Sequence, residues 1–414
     1  MKISHRVSIG ILSSIILAAG SAVVCAQTTF KFDFGGGKGV PGAIPISPTN
    51  VYSPAIGYGF EPGANVAAEN QAITSTNPFY FSVKLPERNY KVWVLLGDKT
   101  GESTTTVKAE LRRLMLEKIR TTPEQSADRW FVVNLRTPHI SDSNAVHLKP
   151  REKTSEIWDW DEKLTLEFNG TRPCLAGLRI EKADVPTVFL LGDSTVCDQP
   201  AEPWNSWGQM LPRFFKPEVA IANHAESGET IRSSLGAQRF EKVFSLMKPG
   251  DYLFVQFGHN DMKDKGTNAL ETYKANLKKV VARTRELGGT PVLVTSMERK
   301  TGVEQDTLAG YPDAVRDVAK EENCALIDLH AMSRTFYRAL REDLGKAFQD
   351  GTHHNNYGSY ELAKCIALGI QQGKLPLAKL LVDDFTFDPA KPDAVATFEM
   401  PASPFNSSAK PLGN

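Results

Sequence analysis

Four short blocks in the second half of the chain carry the residue types that acyl transfer requires. They are Gly192-Asp193-Ser194-Thr195, Ser227-Gly228, Gly258-His259-Asn260-Asp261 and Asp350-Gly351-Thr352-His353. A serine hydroxyl is a weak nucleophile until a neighbouring base takes its proton. His353 can be that base for Ser194, with Asp350 holding the other ring nitrogen, which divides the work among nucleophile, base and orienter. His354 competes for the base's place, and the three-residue spacing from Asp350 favours His353. The negative oxygen of a tetrahedral intermediate needs preset donors. The backbone N–H of Ser194, the N–H of Gly228 and the side-chain amide of Asn260 can supply three, with glycine permitting close backbone approach. Each block alone has a blander reading. Gly-Asp-Ser is good turn chemistry, Asn260 can be a cap, and His353 a surface histidine. Their order and their placement after strands are what select the chemical reading.

The elements that must position these blocks are legible in the hydropathy pattern. From residue 185 onward, apolar runs at Val188–Leu191, Val219–Ala222, Tyr252–Phe257, Pro291–Thr295 and Ala325–Leu329 alternate with helical stretches such as Thr267–Leu287 and Tyr357–Gln372. Apolar strands alternating with amphipathic helices predict a parallel sheet covered on both faces. Five strands fit a flavodoxin-like α/β domain of order 2-1-3-4-5, with its chemistry at the carboxyl ends of the strands. From about 28 to 183 the pattern is instead one of short alternating runs, among them Phe30–Phe34, Phe79–Val83, Tyr90–Val94, Trp130–Val133, Leu164–Phe168 and Leu175–Ile180. These predict an antiparallel β-sandwich. Val107–Ile119 is rich in helix formers but is read as strand because its neighbours are strands. The expected organisation is a leader over 1–26, a sandwich over 27–183, the α/β domain over 184–387, and a Pro/Ala/Ser-rich tail over 388–414 that is either a surface strap or disordered.

The bulk composition narrows the class of function. Lys plus Arg equals Asp plus Glu at 48 each, so no global field favours nucleic acid or an anionic membrane. Lys2, Arg6, the apolar stretch from Val7 to Ala19 and Val24-Cys25-Ala26 have the form of a cleavable leader. The expected mature protein is periplasmic or secreted, without a membrane span. Cys174, Cys197, Cys324 and Cys365 match no zinc spacing. An oxidising compartment permits a disulfide among them, whereas a predicted strand around Cys324 and a predicted helix around Cys365 favour free thiols. The chain has no Gly-x-Ser-x-Gly elbow, no phosphate loop ending in Gly-Lys-Ser/Thr and no His-Glu-x-x-His helix. Gly37-x-Gly39-x-x-Gly42 matches a dinucleotide pattern, but Pro41 and the Pro-containing stretch after it oppose the required helix. No metal and no organic cofactor is expected. Trp204, Trp207 and His259 are candidate substrate contacts near the nucleophile. Trp158 and Trp160, two apart in an extended stretch, form either a sugar-stacking face or core.

The four blocks resemble those of the SGNH (GDSL-type) hydrolases, whose Ser, Gly, Asn and His align with Ser194, Gly228, Asn260 and His353, and whose Asp-x-x-His orienter aligns with Asp350. More narrowly they look like the rhamnogalacturonan acetylesterase branch. That branch often has Arg after the glycine, where this chain has Glu229. The resemblance spans roughly 185 to 385, and the first half is similar to galactose-binding-like modules found ahead of such esterases. It implies a secreted serine esterase that removes O-acetyl groups from plant cell-wall polysaccharide, rhamnogalacturonan foremost, through an acetyl-enzyme. The rivals are an acetyl xylan or other carbohydrate esterase, a GDSL-type lipase or thioesterase, and a catalytically inactive carbohydrate-binding protein.

Overall fold

The computed structural model describes residues 29–36 and 41–412. The expected leader, together with Gly37 and Gly39 of the glycine pattern, lies outside the described residues.

In the C-terminal half, five parallel strands run Thr187–Gly192, Ala220–Asn223, Tyr252–Gln256, Thr290–Val294 and Ala325–Ile327. The Thr187–Gly192 strand lies between Ala220–Asn223 and Tyr252–Gln256, and the last two follow in sequence order. Side chains alternate across a strand, and here each strand feeds two cores. Val188, Leu190, Phe254, Val292 and Val294 enter one, shared with helices Leu329–Leu340 and Asn356–Gln372. Phe189, Leu191, Leu253, Val255 and Leu293 enter the other, shared with helices Arg239–Leu246, Ala269–Glu286 and Tyr311–Glu321. Continuous apolar runs in this half are the mark of strands buried on both faces.

Among the described residues the N-terminal half holds two large sheets and a two-stranded ribbon, His139–Ser141 with Asn144–Ala145. One orders Tyr58–Phe60, Phe79–Lys84, Lys163–Thr171, Ser103–Ala109 and Arg113–Thr121. The other is built around Ala127–Leu135, Arg88–Leu96, Cys174–Lys182 and Phe30–Asp33. Phe32 and Phe34 from one meet Phe81 from the other edge-on, with ring centroids 5.3 and 5.1 Å apart, so both sheets fill a single core. Between the named strands the pairing is antiparallel except at an edge, where Phe32 and Asp33 pair in parallel with Ile44 and Pro45. A proline without an N–H is at home on such an edge.

The Val107–Ile119 stretch forms a hairpin, Ser103–Ala109 with Arg113–Thr121, and not a helix. Its tip reaches out of its own half. Leu114 packs in a core of the C-terminal half, and the Leu111 carbonyl accepts from the Gln209 amide at 2.5 Å. Arg113 lies 3.0 Å from Asp198, and Arg112 lies 2.6 Å from Glu202. The tail is a strap. Its Pro401 carbonyl and Ser403 hydroxyl are bound by Lys108, its Ala402 carbonyl by Asn169, and residues 405–407 exchange backbone hydrogen bonds with Glu202. All four described cysteines are free.

Candidate active site

The nucleophile turn is shaped by what leaves no room for a side chain. Strand Thr187–Gly192 ends at Gly192, where a Cβ would meet the Gln256 carbonyl oxygen at 2.7 Å and Val196 at 2.5 Å. Asp193 then organises the turn: its Oδ1 accepts from the Thr195 N–H at 3.0 Å and the Thr195 hydroxyl at 2.7 Å, and its carbonyl accepts from Val196 and Cys197. Burial opposes a charge on Asp193, yet the His259 ring and the Thr195 donors outweigh it and hold the carboxyl below the usual range. Ser194 is thereby presented at the carboxyl end of the sheet, and Gln199 pins its carbonyl with a 2.6 Å hydrogen bond.

The loop before helix Asn356–Gln372 carries the base. Asp350 Oδ1 accepts the backbone N–H groups of Thr352 and His353, both at 2.7 Å. Asp350 Oδ2 lies 2.9 Å from His353 Nδ1, and His353 Nε2 lies 2.8 Å from Ser194 Oγ. The carboxylate assigns the ring proton to Nδ1 and leaves Nε2 to accept from the serine. Burial pushes Asp350 up, but the His353 ring and the two backbone donors prevail and hold its carboxyl well below the ordinary carboxylate range. His354 turns the other way: its Nε2 lies 2.8 Å from the Tyr337 hydroxyl, and burial, with His353 and His259 nearby, lowers it to about 3. The spacing argument and the geometry therefore select the same imidazole.

Gly228 has φ +77°, the left-handed region that favours glycine. The Asn260 amide donates to the Glu229 carbonyl at 3.0 Å, which ties it to the Gly228 turn and leaves its second N–H for another acceptor. Asp261, next in chain, accepts the Ile231 N–H at 3.0 Å, and its burial, with the Asp193 charge nearby, pushes it up to about 7.

The substrate-contact candidates separate. Trp204 sits edge-on to the His353 ring, 5.9 Å between centroids, and lines a cavity beside Ser227. Trp207 does not line the cleft. It is core, with its indole N–H on Gln256 at 2.8 Å. His259 is likewise no cleft residue: Nε2 donates to the Met297 carbonyl at 3.0 Å and Nδ1 lies 3.5 Å from Asp193, so it braces the nucleophile turn from behind. Trp160 is buried under the Arg136 guanidinium, 4.6 Å from the ring centre, whereas Trp158 stays half-buried in an open cavity.

Several contributors carry no local motif. Lys149 and Arg151 both donate to the Ser227 carbonyl at 2.7 Å, holding the turn that presents Gly228. Arg112 donates to the carbonyls of Gln199 and Trp204 at 3.1 and 2.9 Å. Arg299 bridges the His259 carbonyl and the Thr352 hydroxyl, each at 3.3 Å. Away from the site, Glu298, Asp306 and His330 bring potential metal-ligand atoms within 4.8 Å of one another. The Glu298 oxygens already accept from Arg299, Thr307 and His330, so the group is spent as a hydrogen-bonded brace.

Comparisons with known proteins place the chain in a family. The model of the GDSL-like Lipase/Acylhydrolase family matches residues 190–359. Rhamnogalacturonan acetylesterase RhgT of Bacillus subtilis is 36% identical over 217 residues, covering 47% of this chain and 94% of that protein. The uncharacterized esterase YxiM of the same organism is 28% identical over 378 residues, covering 83% of this chain and 90% of that protein. The crystal structure of YxiM aligns with a TM-score of 0.46 at 24% identity, over 84% of this chain and 99% of that one. The chain belongs to the GDSL-like lipase/acylhydrolase family and is a carboxylic ester hydrolase.

Proposed function

We propose that the protein is a carbohydrate O-acetylesterase acting on acetylated plant cell-wall polysaccharide, with rhamnogalacturonan as its principal substrate. The observation that carries this reading is the continuous relay from Asp350 through His353 to Ser194, with separations of 2.9 and 2.8 Å. Ser194 Oγ attacks the acetyl carbonyl while His353 Nε2 takes its proton. Asp350 stabilises the imidazolium and keeps the ring oriented. The oxyanion is received by the N–H groups of Ser194 and Gly228 and the amide of Asn260. His353 then protonates the departing sugar oxygen, and a water activated by the same ring releases acetate from Ser194. The sugar assignment is supported by the names of the relatives, two of which are rhamnogalacturonan acetylesterases of Bacillus subtilis and Emericella nidulans. Export completes the proposal, on the strength of the charged and apolar pattern of the first 26 residues.

The test is acetate release by the protein and by Ser194→Ala from acetylated rhamnogalacturonan, acetyl homogalacturonan, acetyl xylan and a p-nitrophenyl ester series. Serine-dependent release concentrated on the pectic substrates supports the proposal. Release from xylan alone, or a preference for long-chain esters, keeps the triad and replaces the substrate.

A further inference from the structure

We propose that the N-terminal half and the C-terminal strap together form a sugar-chain subsite that extends the acyl site, with Trp158 as its stacking platform. This rests on the carbohydrate-esterase reading above. Against the segment that follows the nucleophile turn lies a cavity of about 190 Å³, lined in part by Gln199, Pro200, Trp204 and Ser227. A second, of about 430 Å³, shares Ser155, Pro200 and Phe405 with the first and continues to Trp158 and Tyr80. One wall of the combined groove is segment 151–158 of the N-terminal half and the other is segment 404–412 of the strap. Two of its lining residues touch the triad directly: Gln199 holds the Ser194 carbonyl and Trp204 abuts the His353 ring.

The lining specifies the occupant. Five large hydrophobic side chains are exposed among the described residues, and three of them, Ile157, Phe405 and Leu412, border this groove. Single exposed apolar residues mean little, but their convergence on one cleft marks a binding surface. The Trp158 ring is held against Tyr80 at 5.1 Å, with the Lys163 ammonium 5.6 Å from its centre, so it is positioned before any ligand arrives. Interleaved with these apolar faces are the exposed polar residues Thr154, Ser155 and Lys410. An acyl chain filling the groove would cover these groups without replacing the water they bind. A pyranose chain offers both surfaces at once, apolar C–H faces for the aromatic ring and hydroxyls for the polar rim. The occupant is therefore the backbone of the same polysaccharide whose acetyl group reaches Ser194.

The test uses the full-length protein carrying Trp158→Ala, Trp158→Tyr or Ile157→Asp. The readout is the ratio of kcat/KM on acetylated rhamnogalacturonan to that on p-nitrophenyl acetate. The ratio is expected to fall about tenfold, through KM, in Trp158→Ala and Ile157→Asp, a loss equivalent to about 1.4 kcal/mol of binding. Trp158→Tyr should recover most of it. Ile157 is exposed, so its variant keeps the test valid should Trp158→Ala fold poorly. Unchanged ratios in both disruptive variants would overturn the subsite and leave the esterase reading intact. If the wild type cleaves p-nitrophenyl acetate but no polysaccharide, the substrate reading fails. Calorimetric binding of rhamnogalacturonan oligosaccharides to Ser194→Ala, with and without Trp158→Ala, then decides the subsite separately: about tenfold weaker binding supports it, and equal affinity or no binding overturns it.

Discussion

At the scale of the residue, the site depends on few atoms in strict relation. Ser194→Ala removes the nucleophile, and kcat on p-nitrophenyl acetate is expected to fall by about 10⁴-fold or more. Asp350→Asn is expected to cost a comparable factor without unfolding the protein, because an amide can replace the carboxylate's shape but cannot enforce the ring tautomer. Asn260→Ala should cost about 10²–10³ in kcat with little change in KM, as the loss of a donor that matters only once charge develops on oxygen. Steady-state kinetics on one small ester distinguishes all three. A loss in KM alone for Asn260→Ala would remove it from the proposed oxyanion hole.

At the scale of the element, loops set the geometry and neighbouring elements hold the loops. Gly228→Ala adds a Cβ at φ +77°, 3.2 Å from Leu412. The left-handed conformation costs a non-glycine residue roughly 1–2 kcal/mol, so the turn should shift, with kcat falling while the melting temperature changes by only a few degrees. The Ser103–Thr121 hairpin tip has a larger task. Arg112 satisfies the carbonyls of Gln199 and Trp204 and pairs with the buried Glu202 at 2.6 Å. Removing one partner of a buried pair costs about 3–5 kcal/mol. Arg112→Ala is therefore expected to lower denaturant stability by about that amount and to reduce activity, although Arg112 touches no substrate. Arg112→Lys should restore little, since an ammonium cannot reach two carbonyls and a carboxylate in one plane. Full activity in Arg112→Ala would show that the 198–206 loop holds itself.

At the scale of the whole molecule, acids shielded from water near the junction of the two halves set the response to pH. Burial, only partly offset by Arg151, pushes Glu156 up to about 7, and burial does the same to Asp161. Their unfolded values lie near 4, so the folded state binds more protons between about pH 4 and 7. Stability contributed by these groups is present below pH 4 and lost as pH rises through 7. Glu152 works in the opposite sense. Burial raises it, but paired hydrogen bonds from Arg239 prevail and hold it below its ordinary value, so its contribution disappears as pH falls below about 4. Calorimetric melting temperature is expected to decline from pH 5 to 8, and Glu156→Gln should flatten that decline. An unaltered slope would place the proton uptake elsewhere.

What the amino-acid sequence determined by itself was everything encoded in local period and local type. Alternating apolar runs specified strands, amphipathic stretches specified helices, and the position of Ser194, Gly228, Asn260 and the Asp350–His353 pair after those strands marked the proposed catalytic set, because chemistry at strand ends leaves short signatures in the chain. Trp207 and His259 were legible as near the nucleophile but not as facing inward, since direction depends on packing and not on sequence distance. Tertiary structure alone decided that His354 points to Tyr337, that Trp158 stays open while Trp160 is buried, and that Lys149, Arg151 and Arg112 from the N-terminal half brace the turns around Ser194 and Gly228. Those long-range hydrogen bonds join residues separated by dozens to hundreds of positions, and no periodicity records which distant carbonyl a given arginine will find.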